Sequence, residues 1–224
     1  MCAEGISARP RAGGDNRWVP SYAPLTPDAL VSMVVDRCLA RADRTRVAID
    51  GAEPAAPADF AGRIATRLRS TGRPAEVVEL KDFLLPASQR LEFGREDPDS
   101  YRERWFDFAA LAREVLDPLA AQGATQWLPR LRDPETDRSV RAQRQPAPDG
   151  LVLLVAGPML LGRWLDFDLS VALRVDERVL RERTPAELAF KVDGVLEHNR
   201  ENPEEPDILV RYNHPERPAV AVAA

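Results

Sequence analysis

Lysine is almost missing from this chain of 224 residues: only Lys81 and Lys191 occur, so 29 of the 31 basic residues are arginine. Chemistry that turns on a positioned ammonium group therefore has just two sources. Cysteine and histidine are equally scarce. Cys2 and Cys38 lie far apart without metal-ligand spacing, and His198 and His214 are the only histidines, so a Cys/His zinc site is excluded and a reducing, cytoplasmic setting is expected. Basic charge is not in excess. The 36 acidic residues outweigh the 31 basic ones, leaving a formal charge of -5 and no global field to hold nucleic acid. Long apolar runs are absent too. The longest, from Leu151 through Leu161, contains Gly157 and Pro158 and falls short of the roughly 20 residues that span a bilayer, so no membrane association is expected. Residues 1–20 are rich in Gly, Arg and Pro and have no apolar signal-peptide core. Residues 1–24 are accordingly expected to form a flexible arm, and residues 25–224 a single domain.

Within that span, hydrophobic periodicity alternates between the strand and helix periods. Leu30, Val31, Val34, Val35, Cys38 and Leu39 form a helical stripe over 27–42, with Thr26 placed to cap it. Residues 46–51 read as a buried strand ending in a glycine turn, residues 59–70 as a helix with Phe60, Ile64 and Leu68 on one face, and residues 75–80 as a second strand. A helical pattern follows over 96–120, then a polar, Pro-rich stretch over 122–149. Leu151 to Val155 has the unbroken apolar character of a strand buried on both faces. After a short helical connection, residues 168–175 give another strand. Thr184-Pro185-Ala186-Glu187 has the spacing of a capping box opening a last helix to about Asn199, and residues 207–211 give a late strand. This alternation predicts one α/β domain on a parallel sheet with right-handed crossovers.

The first strand-to-helix turn of such a sheet is where phosphates bind, because helix N-terminal amides and a glycine-rich loop form an anion cradle there. The motif needs glycine, four residues, then glycine, lysine and serine or threonine. Counted from Gly51, those last three places hold Ala56, Pro57 and Ala58. Pro54 and Pro57 also lack backbone N–H groups, removing donors as well as side chains. Pro57 suits the first turn of a helix that binds no phosphate, and Asp59 in that turn suits the helix dipole. Glu53 and Asp59 are expected to supply the negative charge a nucleotide would otherwise bring.

The order and spacing of several segments across residues 27–220 resemble the uridine kinase family of P-loop kinases. The matching pieces are Val47-Ala48-Ile49-Asp50-Gly51, Lys81-Asp82-Phe83, Asp97-Pro98-Asp99-Ser100-Tyr101, Trp105-Phe106-Asp107-Phe108, Asp117-Pro118-Leu119, Asp133 with Thr136-Asp137-Arg138, Leu153-Leu154-Val155-Ala156-Gly157, Asp207-Ile208-Leu209-Val210 and Asn213-His214-Pro215-Glu216-Arg217-Pro218. The resemblance implies a three-layer P-loop NTPase-like domain with a mostly parallel five-stranded sheet. It also implies that the substitutions fall on chemistry. Pro57 stands where a lysine would neutralise the β- and γ-phosphates, and Ala58 where a hydroxyl would ligate Mg²⁺. Lys81 stands where the family has the general base for the nucleoside hydroxyl (Asp82 if the match is off by one). Ala156 replaces the acidic residue that ends the central strand near the metal.

No catalytic residue, metal or cofactor is therefore expected, and Gly51 alone remains of the nucleotide loop. The resemblance further implies a nucleoside pocket at Asp82, Phe83 and Tyr101 and a phosphate lid at Arg178, Arg181 and Arg183. Glu177 and Glu182 interleave with those arginines at helical spacing, a charge pattern that favours a salt-bridged solvated face over a lid. The expected function is a uridine-kinase-like pseudoenzyme that binds a nucleoside-like molecule or a protein partner, with no nucleic acid. Two alternatives stay open: an active nucleoside kinase gripping Mg-ATP by another route, Lys81 included, and a protein-interaction module. A homo-oligomer is compatible with each.

Overall fold

In the computed structural model, residues 21–120 and 125–222 are described; the expected arm through residue 20, Cys2 included, lies outside them. Seven strands make the main sheet: β1 (Ser21–Pro24), β2 (Thr45–Asp50), β3 (Ala75–Glu79), β4 (Val152–Gly157), β5 (Leu169–Arg174), β6 (Ile208–Arg211) and β7 (Ala219–Val222). Their order is β1-β7-β6-β5-β2-β4-β3. The five strands from β6 to β3 run parallel, as expected, and β7 and β1 extend that sheet antiparallel at one edge. The expected count of five is corrected to seven for that reason. The arm boundary moves as well, because Ser21–Pro24 pairs with Val222–Ala219 instead of trailing free.

The core follows from the period of two along the central strands. Val47 and Ile49 of β2, Leu154 of β4 and Leu169, Val171 and Leu173 of β5 face one apolar layer. That layer is closed by α1 (Pro27–Leu39) and α2 (Pro57–Ser70). The alternate residues Ala48, Leu153, Val155 and Ala172 face the other, closed by α3 (Pro98–Arg104), by the helical run that starts at Phe108 and by α5 (Ala189–Glu201). Here α4 (Glu177–Arg183) precedes α5 and lies mostly on the surface. The result is a three-layer α/β fold.

Three local expectations change. Residues 96–120 do not form one helix. Asp107 accepts the Ala110 amide at 2.8 Å and starts a new helix at Phe108, which passes through a π turn and a 3-10 turn around Pro118. The connection from β4 to β5 is not helical, since Met159, Gly162 and Trp164 all take positive φ there. Thr184 does not cap the last helix: its hydroxyl donates back to the Leu180 carbonyl at 2.7 Å, and a 3-10 turn over Ala186–Leu188 leads into α5. Thr26 does cap α1, accepting the Ala29 amide at 3.1 Å.

Candidate functional site

Parallel pairing aligns the carboxyl ends of β2, β3 and β4, setting Asp50 beside Gly157 and Glu79 beside Ala156. A cleft opens at that edge, where open α/β sheets bind ligands. Its wall of about 400 Å³ includes Glu53, Ala56, Pro57, Ala58, Asp59, Glu79, Lys81, Phe106 and Ala156. The turn from β2 to α2 occupies one side. Gly51 is fixed by packing, because a Cβ there would meet Leu173 Cβ at 3.1 Å, and its amide donates to the Gly157 carbonyl at 3.0 Å. A single 3-10 turn, Glu53–Ala55, then uses the Ala55 and Ala56 amides on the Ala52 and Glu53 carbonyls at 2.8 and 2.9 Å. Ala56 takes the left-handed conformation, φ 48° and ψ 54°, at the position where the phosphate motif has its second glycine. Pro57 follows as the first residue of α2 and is buried.

Two donors of this turn are thus spent internally and two residues have no N–H. Asp59 does not cap α2, since the N-cap is Ala56 and no side chain fills that role. The cleft itself holds three carboxylates, Glu53, Asp59 and Glu79, against the single ammonium of Lys81. Lys81 pairs with Glu79 at 2.7 Å, and this hydrogen bond, against some burial, raises its pKa further above the ordinary lysine value. Asp82 turns the other way, half-buried, 3.9 Å from Arg130. Burial raises its pKa, opposed by the Arg130 guanidinium. Ala156 is buried and offers no ligand atom. Among the described residues no group of three His, Cys, Asp or Glu side chains is placed to hold a metal.

The residues expected to form a nucleoside pocket separate. Phe83 is wholly buried in the core and Asp82 faces Arg130, whereas Tyr101 lines a second cavity of about 240 Å³. That cavity lies between the turn (Ala52, Glu53, Pro54), the α4–α5 connection and the Lys191, Val192 and Val195 face of α5. Close approach of α3 to α5 depends on Gly194, where a Cβ would lie 2.9 Å from the Pro98 carbonyl oxygen and 3.0 Å from the Tyr101 ring. Lys191 Nζ sits 2.9 and 3.2 Å from the Glu53 carboxylate oxygens, and 5.7 and 5.5 Å from the Tyr101 and Trp105 ring centroids.

Of the expected lid arginines, Arg178 pairs with Glu182 at 3.1 Å and Arg181 with Glu177 and Asp193 at 2.9 and 2.7 Å, all on the surface. Arg183 alone reaches the smaller cavity, one guanidinium nitrogen bonded to the Asn213 carbonyl. Both lysines of the chain therefore flank the turn from β2 to α2, each held by a carboxylate. Lys191 and Glu79 are site residues that motif counting does not find. The signal for them was the rarity of lysine and an acidic residue closing a strand. Asp50 is structural: buried at the end of β2, it accepts the Leu160 and Leu161 amides at 2.6 and 3.2 Å and pairs with Arg174.

No family model and no curated protein matches this chain. Solved structures do. A proposed uridine kinase of Bacillus stearothermophilus is similar with a TM-score of 0.65 and 18% identity, over 81% of this chain and 97% of that one. A proposed fructose transport system kinase of Silicibacter sp. TM1040 gives 0.63 and 22%, over 83% of this chain and 98% of that one. The chain has the P-loop kinase fold. Among the described residues, no helix is long and apolar enough to cross a membrane.

Proposed function

We propose that this chain is a protein of nucleoside- or sugar-kinase type that has lost ATP-dependent phosphoryl transfer and works by binding a small ligand at the carboxyl edge of its sheet. The observation that supports this reading is the turn from Gly51 to Asp59. Phosphoryl transfer is almost entirely positioning and charge stabilisation, and it needs a cation, a metal-bound hydroxyl and free amides around the phosphates. Here Pro57 and Ala58 take the first two places, Pro54 and Pro57 have no N–H to offer, and Ala55 and Ala56 spend theirs within the turn. The charge of the cleft is reversed as well. Glu53, Asp59 and Glu79 would face the phosphates of a nucleotide with Lys81 as the one cation on that wall. These residues do not fit Mg-ATP.

The nucleoside- or sugar-type assignment follows from the resemblance of the motifs and from the two similar folds, a proposed uridine kinase and a proposed fructose transport system kinase. One observation favours an active enzyme instead: Lys81 lines the cleft. On that second reading it replaces the missing cation, and ATP and Mg²⁺ are bound. The two readings part in one experiment. Purified protein is incubated with Mg-ATP and uridine, cytidine or fructose while phosphorylated product is followed, and Mg-ATP binding is measured by calorimetry. Lost transfer predicts no product and no micromolar binding. Turnover abolished by Lys81→Ala would establish the second reading and end the first.

A further inference from the structure

The 240 Å³ cavity has a composition that a vestigial phosphate site does not explain. Its walls are apolar, with Pro54, Pro185, Leu188, Val192, Val195 and the face of Tyr101, and its charged members are Lys191, Arg183 and Glu53. Two cations face one carboxylate in a chain whose formal charge is -5. Tyr101 is 1% exposed and lines this cavity. Burial, with the nearby Glu53 charge, raises its pKa strongly, so the phenol is a permanent neutral donor.

The ion pair beside it is lopsided. The Lys191 side chain is 17% exposed and that of Glu53 is 59% exposed. Lys191 needs a counter-charge where it lies, but Glu53 gives up little by swinging into water. An incoming anion can take its place on an ammonium that has three N–H donors to share. At about 240 Å³ the cavity suits a ligand smaller than the drug-sized molecules that fill sites of roughly 300–1,000 Å³. Polar groups are too few for a molecule rich in hydroxyls, whereas a ring or branched chain matches the apolar walls.

We propose that this cavity binds a small monocarboxylate bearing an apolar ring or branched chain, its carboxylate held by Lys191 and the Tyr101 hydroxyl in exchange for Glu53. The proposal deepens the binding reading above by naming the ligand class, and rests on it in that no nucleotide occupies the adjoining turn.

The full chain would be titrated with phenylacetate and isovalerate, and with phenylacetamide as the uncharged control, followed by calorimetry or by shifts in amide NMR spectra. Saturable binding of the acids is expected, with the amide at least tenfold weaker. Lys191→Met should weaken the acids about tenfold or more and Tyr101→Phe about two- to tenfold. Glu53→Gln removes the competing charge and should tighten them several-fold, a gain that misfolding cannot imitate. The proposal is overturned if the amide binds as well as the acids, if Glu53→Gln fails to tighten them, or if uridine binds in their place with the same dependence on Lys191. Phosphorylation of uridine by the same preparation would refute lost transfer while leaving the acid titration to stand or fall alone. Absence of both turnover and acid binding would sink the cavity assignment only.

Discussion

Ala56 holds a left-handed backbone that glycine adopts freely and that costs other L-residues roughly 1–2 kcal/mol. The turn takes this conformation with alanine where glycine would carry no strain. Ala56→Gly should stabilise the fold by roughly 0.5–1 kcal/mol, the relief of strain exceeding the added entropy of the unfolded chain, as urea denaturation would read. An unchanged or lower midpoint would mean that the turn carries no strain at Ala56. Asp50 is the opposite case. Asp50→Ala leaves two amides and the Arg174 guanidinium without their acceptor, and should cost about 3 kcal/mol or more in the same measurement. Cys38 is buried and its thiol is pushed up to about 11, so in a Cys2→Ser background it should stay unreactive toward DTNB until the protein unfolds. The alanine at position 56 and the place of Cys38 on an apolar stripe could be read from local sequence, but the role of Asp50 could not. The partners of Asp50 come from 110 residues and more away.

Among the elements, α5 links the core to the site: one end presents Lys191 to Glu53, and the other buries His198. Nε2 of His198 lies 2.7 Å from the Leu161 carbonyl. Burial pushes the pKa of this imidazole down, against the upward pull of that hydrogen bond. The folded protein therefore holds His198 neutral where the unfolded chain takes up a proton. Its contribution to stability is whole above the ordinary histidine value of about 6.5 and is lost as pH falls below it. Melting temperature should drop between pH 7.5 and pH 5.5, and His198→Gln should flatten that slope; an equal slope in the variant would assign the loss to other groups. The elements themselves were largely legible. Periodicity located α1, α2 and the five parallel strands because each buries a complete face. It overran residues 96–120, where Asp107 restarts the helix, and it mistook Thr184 for a cap. Both errors arise because a side-chain hydrogen bond can serve either the turn before it or the helix after it.

At the scale of the whole molecule, the two described ends of the chain meet. β1 pairs with β7, β7 pairs with β6, and Val220 is buried between them, while the Arg211 guanidinium stacks 4.2 Å over the Tyr22 ring. Ending the chain at Pro218 should unpair both edges, costing about 2 kcal/mol for the buried valine and lowering the melting temperature by roughly 4–8 °C. A smaller change would show that the antiparallel extension is incidental to the fold. These short strands went unseen in the sequence because Ser21–Pro24 holds no β-branched residue and Ala219–Val222 is half alanine. By itself the sequence determined the parallel core, through runs of apolar residues at strand and helix periods, and the groups present in the turn, because Pro54 and Pro57 have no N–H and Ala58 no hydroxyl in any conformation. Only the tertiary structure decided where the remaining charges go. Lys191 meets Glu53 across 138 positions, the two lysines line separate cavities beside the same turn, and Tyr101 lines one of them, since contacts between distant segments are set by the packing of helices on a sheet and leave no local period to read.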